Sequence, residues 1–213
     1  AAQAQAVRSA RRIAVPGCHA SGCIALVKPL VDAGLLSPDA PLSLLSLTGY
    51  SGGGKRMIAD YEAPDRPAAL HAPRPYAVGQ SHKHLPEITH VCGLTRPPVF
   101  QPVVMDVFSG MLVSLPLTEG ILCRKASLAE VSGVYRAFFE GAALVRVLED
   151  NPEPSIDSVA LSGSDRMELF VTGNDERMIA YARFDNLGKG ACGAAIECLN
   201  LVLGAPPLTG LAL

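Results

Sequence analysis

The chain has 213 residues, 49% of them apolar and 18% charged, with a formal net charge of −2. That length builds one large domain or two small ones, and the apolar share supplies an ordinary buried core. The weak negative charge, the lack of any Lys/Arg run or Trp, and an aromatic content of only 5% argue against a surface that neutralises phosphates or stacks bases.

In chain order, residues 1–12 are rich in Ala, Gln and Arg, read as helical, and lack the apolar segment of a secretory signal. No stretch reaches the roughly 18 consecutive apolar residues of a membrane span. Residues 13–15 are a short strand candidate, broken by Pro16-Gly17. An amphipathic run over 19–33 follows, with Ile24, Val27, Leu30 and Val31 at helical spacing and Gly34 as its stop. Residues 42–47 read as a strand, 49–54 as a Gly/Ser-rich loop, and 60–75, with four prolines, as an irregular excursion. Two strands are expected at 99–107 and 111–117, joined around Ser109-Gly110. Ser127 and Glu130 form a capping box before a helix to about 140. Residues 167–172 and 178–184 pattern as an antiparallel hairpin turning at Gly173-Asn174-Asp175. A last helix starts near Lys189 and stops at Gly204, and residues 205–213 read as a loose tail.

This order predicts an α+β fold, a largely antiparallel mixed sheet with helices on one face, over a single domain of residues 1–204. The regular strand–helix alternation of a doubly wound nucleotide-binding domain is missing, and no G-x-G-x-x-G follows a strand. The six cysteines form no C-x-x-C pair and, without an export signal, read as reduced thiols of a cytoplasmic protein, with no structural zinc site.

The chemistry concentrates around Cys18, which falls at a strand-to-helix turn between Gly17 and Gly22. A sulfur at a helix N-terminus meets unpaired N–H groups and the positive end of the helix dipole, which favour its thiolate. The same N–H groups can hold an oxyanion, and the two glycines permit close approach of backbone and ligand. In His82-Lys83-His84-Leu85-Pro86-Glu87, Pro86 pushes Leu85 toward an extended conformation, so His82 and His84 share one face and Glu87 can orient an imidazole. The alternatives are a solvated loop or a metal-binding H-x-H, the latter short of the three or four ligands that zinc takes. Residues 49–55 satisfy G-x-x-x-x-G-K, but Arg56 stands where a magnesium-binding Ser or Thr belongs, so an ATP site is rejected. A Gly-rich turn bearing Ser51 and Lys55 can still cradle an anion, or simply connect. The small residues of Gly188-Lys189-Gly190-Ala191 permit packing against a sheet or a flat cofactor ring.

Taken in order, five segments resemble the N-acetyl-γ-glutamyl-phosphate reductases, particularly their shorter form. They are Pro16 to Gly22, Gly49 to Lys55, Tyr76 with His82 to Glu87, Phe100-Gln101-Pro102, and Phe184 to Ala191, and the likeness covers about residues 8–204. It implies a catalytic domain like that of glyceraldehyde-phosphate dehydrogenase. It also implies NADPH-dependent reduction of N-acetyl-γ-glutamyl phosphate to N-acetylglutamate 5-semialdehyde and phosphate through a cysteine thioester, in arginine biosynthesis. On this resemblance Cys18 is the nucleophile and His84 the acid/base, with His82 as the alternative and Glu87 as orienter. Ser51, Lys55 and Tyr76 bind substrate, and Asn186, Gly188 and Gly190 approach the nicotinamide. Lys55, Arg56 and Arg96 are candidates for the substrate carboxylate, and the protein is expected to be a homo-oligomer without nucleic-acid or membrane partners.

The sequence departs from the family at Val15, where many members have Asn, and at His19, where many have an aromatic residue. Members begin with a dinucleotide-binding domain, and the expectation is that this sequence lacks it and is weakly active alone. Open alternatives are another acyl-phosphate or semialdehyde dehydrogenase, a Cys–His hydrolase without nicotinamide, and a non-catalytic oligomerisation fragment.

Overall fold

A computed structural model describes residues 2–149 and 154–213. Seven strands carry the fold: β1 (Ser43–Gly49), β2 (Arg74–Pro75), β3 (Val99–Met105), β4 (Met111–Thr118), β5 (Val145–Val147), β6 (Met167–Asn174) and β7 (Arg177–Phe184). They form one sheet in the order β2-β3-β1-β4-β7-β6-β5. The β1/β3 and β5/β6 pairs are parallel and the other four antiparallel, which is the largely antiparallel mixed sheet expected. Although β3 and β4 are consecutive, β1 lies between them.

The helices are α1 (Ala2–Ser9), α2 (Cys18–Asp32), α3 (Gly54–Glu62), α4 (Leu85–Val91), α5 (Leu128–Phe138) and α6 (Gly193–Leu203). Three of them, α2, α4 and α5, pack on one face of the sheet or on each other. That face is lined by Leu44, Phe100, Met111, Val113, Leu115, Leu169, Ala180, Ala182 and Phe184, each buried. Strand alternation explains the choice: every second residue of each strand points the same way. Tyr135 of α5, wholly buried, donates its hydroxyl to the Leu26 carbonyl at 2.8 Å and so ties α5 to α2. Gly22 lets α2 lie close to the sheet, since a Cβ there would fall 2.5 Å from a Val113 methyl. Its role is therefore helix–sheet approach, not ligand approach.

Several local expectations are corrected. Residues 13–15 form no strand. After a short helical turn at Tyr50–Gly53, the Gly-rich stretch opens α3, so the excursion begins only after residue 62. Leu85 is helical rather than extended, because Pro86 sits in the first turn of α4, where its missing N–H costs nothing. The short strand β5 carried no pattern long enough to read. A π-helical turn, Gly188–Cys192, precedes α6. The tail is tied down: Asp165 N–H donates to the Ala212 carbonyl at 2.7 Å and Ala212 N–H to the Asp165 carboxylate at 2.8 Å. The Asn200 amide also donates to the carbonyls of Pro207 and Thr209. Helix α1 packs on α6. The hairpin β6/β7 and the Ser127 cap, accepting from Glu130 N–H at 3.2 Å, are as expected.

Candidate active site

The first residue of α2 is Cys18, preceded by extended Gly17. No side chain caps this helix, so its first-turn N–H groups remain available to a ligand or to the sulfur. Cys18 opens on a cleft of about 700 Å³. The cleft's walls come from separate stretches: residues 15–19, the end of β1 with the Gly-rich turn, Tyr76, the His82-Lys83-His84 stretch, and the 186–195 segment. Of the residues singled out from sequence, Cys18, Ser51, Tyr76, His82, His84, Asn186 and Gly190 line this cleft. Lys55, Glu87 and Gly188 do not. Lys55 is exposed on α3, and Lys83 is the lysine on the cleft wall.

The His84 ring lies over Gly17. A Cβ at position 17 would fall 2.0 Å from Nε2 and 2.5 Å from the adjacent ring carbons, so only glycine fits between imidazole and thiol segment. His84 Nδ1 is buried and is the one such side-chain atom without a hydrogen-bond partner among the described residues. Glu87 does not orient an imidazole: its carboxylate accepts the Gly17 N–H at 3.4 Å and so faces the chain just before the thiol. His82 packs edge-on to His84 with ring centres 4.7 Å apart, and its Nδ1 accepts the His84 N–H at 3.2 Å.

Electrostatics differ from the expectation of a preformed thiolate. Burial pushes the Cys18 thiol up. The N–H groups of His19 and Cys18 and the Lys83 ammonium pull the other way, Glu87 adds to the rise, and burial prevails. His84 is held down to about 4 by burial and then by His82 and Lys83, and His82 is lowered by burial and Lys83. The resting site therefore holds a neutral thiol and neutral imidazoles on the walls of one cleft.

Asn186, buried at the end of the β7 segment, uses its amide inside the fold. Its Oδ1 accepts Gly110 N–H at 2.9 Å and its Nδ2 donates to Ser51 Oγ at 3.0 Å. Ser51 thus keeps its own proton for a ligand. Asp185 accepts from the N–H groups of Leu187 and Gly188 and shapes the turn that brings Gly190 to Cys18. A Cβ on Gly190 would lie 3.0 Å from Cys18 Cβ.

Sequence reasoning noted His19 only as a departure from the family and did not single out Ser46 or Thr48. His19 is 3% exposed at the centre of the site, and Ser46 and Thr48 occupy core-facing positions of β1. Polar residues at alternate positions shared with Leu44 were the available signal. Among the described residues no cluster of His, Cys, Asp or Glu is arranged to hold a metal ion, and no helix is long and apolar enough to cross a membrane.

Residues 18–186 match the family described as semialdehyde dehydrogenase, dimerisation domain. An N-acetyl-gamma-glutamyl-phosphate reductase of Brucella ovis is 42% identical over 208 residues, which are 95% of this chain and 67% of that protein. Its namesake in Rhizobium leguminosarum bv. trifolii is 39% identical over 210 residues, 96% of this chain and 68% of that one. The chain thus spans about two thirds of the length of these relatives. Among solved structures, aspartate semialdehyde dehydrogenase II from Vibrio cholerae superposes with a TM-score of 0.67 at 15% identity, covering 89% of this chain and 61% of that one. A probable aspartate-semialdehyde dehydrogenase from Pseudomonas aeruginosa gives 0.66 at 17% identity, covering 94% and 66%. The structures share the fold of a semialdehyde dehydrogenase, the sequences share more, and the chain belongs to the N-acetyl-γ-glutamyl-phosphate reductase family.

Proposed function

We propose that this chain carries the thiol chemistry of an NADPH-dependent reduction of N-acetyl-γ-glutamyl phosphate to N-acetylglutamate 5-semialdehyde and phosphate, a cytoplasmic step of arginine biosynthesis. The observation that supports it is the single cleft lined by Cys18, at an uncapped helix start, by neutral His84, and by Tyr76 and Ser51. In this reading His84 takes the Cys18 proton as the sulfur bonds to the acyl carbon. The carbon–oxygen bond to phosphate breaks and phosphate leaves, giving a thioester on Cys18. The N–H groups of the first turn of α2 face the developing oxyanion. Ser51, its oxygen already engaged by Asn186, offers its proton to the phosphate. Lys55 is too exposed for a direct contact here, and Lys83 takes its place as the cleft's positive charge.

The residues beside Cys18 fit a nicotinamide. Gly190 packs so closely on Cys18 that a Cβ there would lie 3.0 Å from Cys18 Cβ, and Ala191 adds only a methyl, so the cleft wall next to the thiol carries only small groups, which suits a flat ring. Asn186 and Gly188 act by shaping that segment. When bound, NADPH supplies the hydride that reduces the thioester carbon. His84 then returns its proton to the sulfur as the carbon–sulfur bond breaks and the aldehyde departs. The reading includes a homo-oligomer built on the sheet face away from the helices, in keeping with the family's description as a dimerisation domain.

The test is to incubate the chain with N-acetyl-γ-glutamyl phosphate and look for an acyl adduct by mass spectrometry. The adduct is expected on Cys18, absent from Cys18→Ser, and weak with β-aspartyl phosphate. An adduct on another cysteine, or equal acylation of Cys18→Ser, sinks this assignment.

A further inference from the structure

His19 bridges the sheet to the cleft. Its Nδ1 lies 2.6 Å from Ser46 Oγ and its Nε2 lies 2.6 Å from the Tyr76 hydroxyl. A neutral imidazole carries one N–H, so one of these contacts is donated by His19 and the other accepted. His19 is neutral, because burial first and then the nearby His84, His82 and Lys83 hold it down to about 3. Ser46 is 0% exposed, and among the described residues neither its hydroxyl nor that of Tyr76 has a second partner.

Only two arrangements exist. If Nδ1 carries the proton, Ser46 accepts it and its own hydroxyl proton is stranded in a dry core, while Tyr76 spends its proton on Nε2. If Nε2 carries the proton, Ser46 donates to Nδ1, Nε2–H donates to the Tyr76 oxygen, and the Tyr76 proton is free for the cleft. The second arrangement leaves no buried donor unmet. We propose that Ser46, His19 and Tyr76 form a one-way hydrogen-bond relay that makes Tyr76 a dedicated donor to an oxyanion beside Cys18. Taking that oxyanion to be the phosphate or carbonyl oxygen of an acyl phosphate rests on the proposed function; the direction of the relay does not. His19 and Ser46 are positioning residues, and Tyr76 makes the contact.

The relay is tested on the chain itself by nitrogen NMR with labelled histidine at neutral pH, with inorganic phosphate as the cleft probe. The expected result is an Nε2–H tautomer at His19 that Ser46→Ala turns into a mixture. Tyr76→Phe and His19→Phe are expected to weaken phosphate binding about tenfold. His19→Gln, whose amide N–H can stand in for Nε2–H, is expected to restore it. An Nδ1–H tautomer or an imidazolium in the unaltered chain, a reading that needs no variant to fold, overturns the relay. So does a folded His19→Gln that binds phosphate as weakly as His19→Phe. Failure of the enzymatic reading is separate: a fixed tautomer and a phosphate response without acylation of Cys18 would retire acyl transfer and leave the relay standing.

Discussion

At the scale of single residues, the site rests on a glycine read from sequence as permitting close approach. Gly17 admits an imidazole ring, and Gly17→Ala must displace His84. On the proposed mechanism, that variant is expected to slow acylation of Cys18 by about a hundredfold, the scale of a lost general base, while its urea midpoint moves little. The buried histidines set a pH dependence. Folding depresses His19 to about 3 and His84 to about 4 from an ordinary 6.5. The unfolded chain therefore takes up protons first as pH falls. The stability these groups contribute is full above 6.5 and is lost on the way down to those values. Urea midpoints measured across that span should fall, and His19→Phe should flatten the slope. Cys18 has the opposite sign: its thiol is raised, so iodoacetamide labelling should have its midpoint above the ordinary thiol value. Labelling at or below that value would show that the helix start outweighs burial. The sequence revealed the thiol, its helix and the His82-Lys83-His84 stretch that lines the same cleft, because each is a local pattern. It did not reveal which term prevails at the sulfur, because burial is a property of the assembled fold.

At the scale of elements, the legible ones were long and strongly patterned: α2, α5 with its Ser127 cap, and the β6/β7 hairpin. The misread ones were overruled locally. Pro86 was expected to hold Leu85 extended and instead sits in the first turn of α4, and the glycines of residues 49–54 suggested a loop where α3 begins. The turn Gly188–Cys192 depends on tertiary contact in the same way. A Cβ at Gly193 would fall 2.0 Å from the Asp165 carboxylate, which also holds the tail. Gly193→Ala is therefore expected to destabilise the fold by about 1–3 kcal/mol, as forced overpacking does, measured as a lower urea midpoint. An unchanged midpoint would show that Asp165 can move without loss.

At the scale of the whole molecule, the sheet's second face carries a further apolar surface. Leu45 and Leu47 of β1 and Ile179 and Tyr181 of β7 are half-buried there, Val99 at its edge is 59% exposed, and Tyr181 stacks on Phe170. An uncovered face of this kind in a family of dimerisation domains is suited to a second copy of itself. Leu45→Asp is expected to shift the sedimentation profile toward monomer while leaving the circular dichroism spectrum intact. A profile that does not move would place the contact elsewhere. The α+β class followed from the order of elements, but the insertion of β1 between β3 and β4 did not, since hydrophobic period fixes which side of a strand is buried and not which strand lies beside it.

The parallel pairing of β1 with β3 and the seating of Gly190 against Cys18 join parts of the chain made at very different moments of translation. A ribosome must make and release the segment around Gly190 before the sulfur of Cys18 acquires the surroundings that govern it. Until then that cysteine is an ordinary solvated thiol, open to any oxidant or electrophile. The nascent chain thus exposes a thiol that the finished protein partly shields.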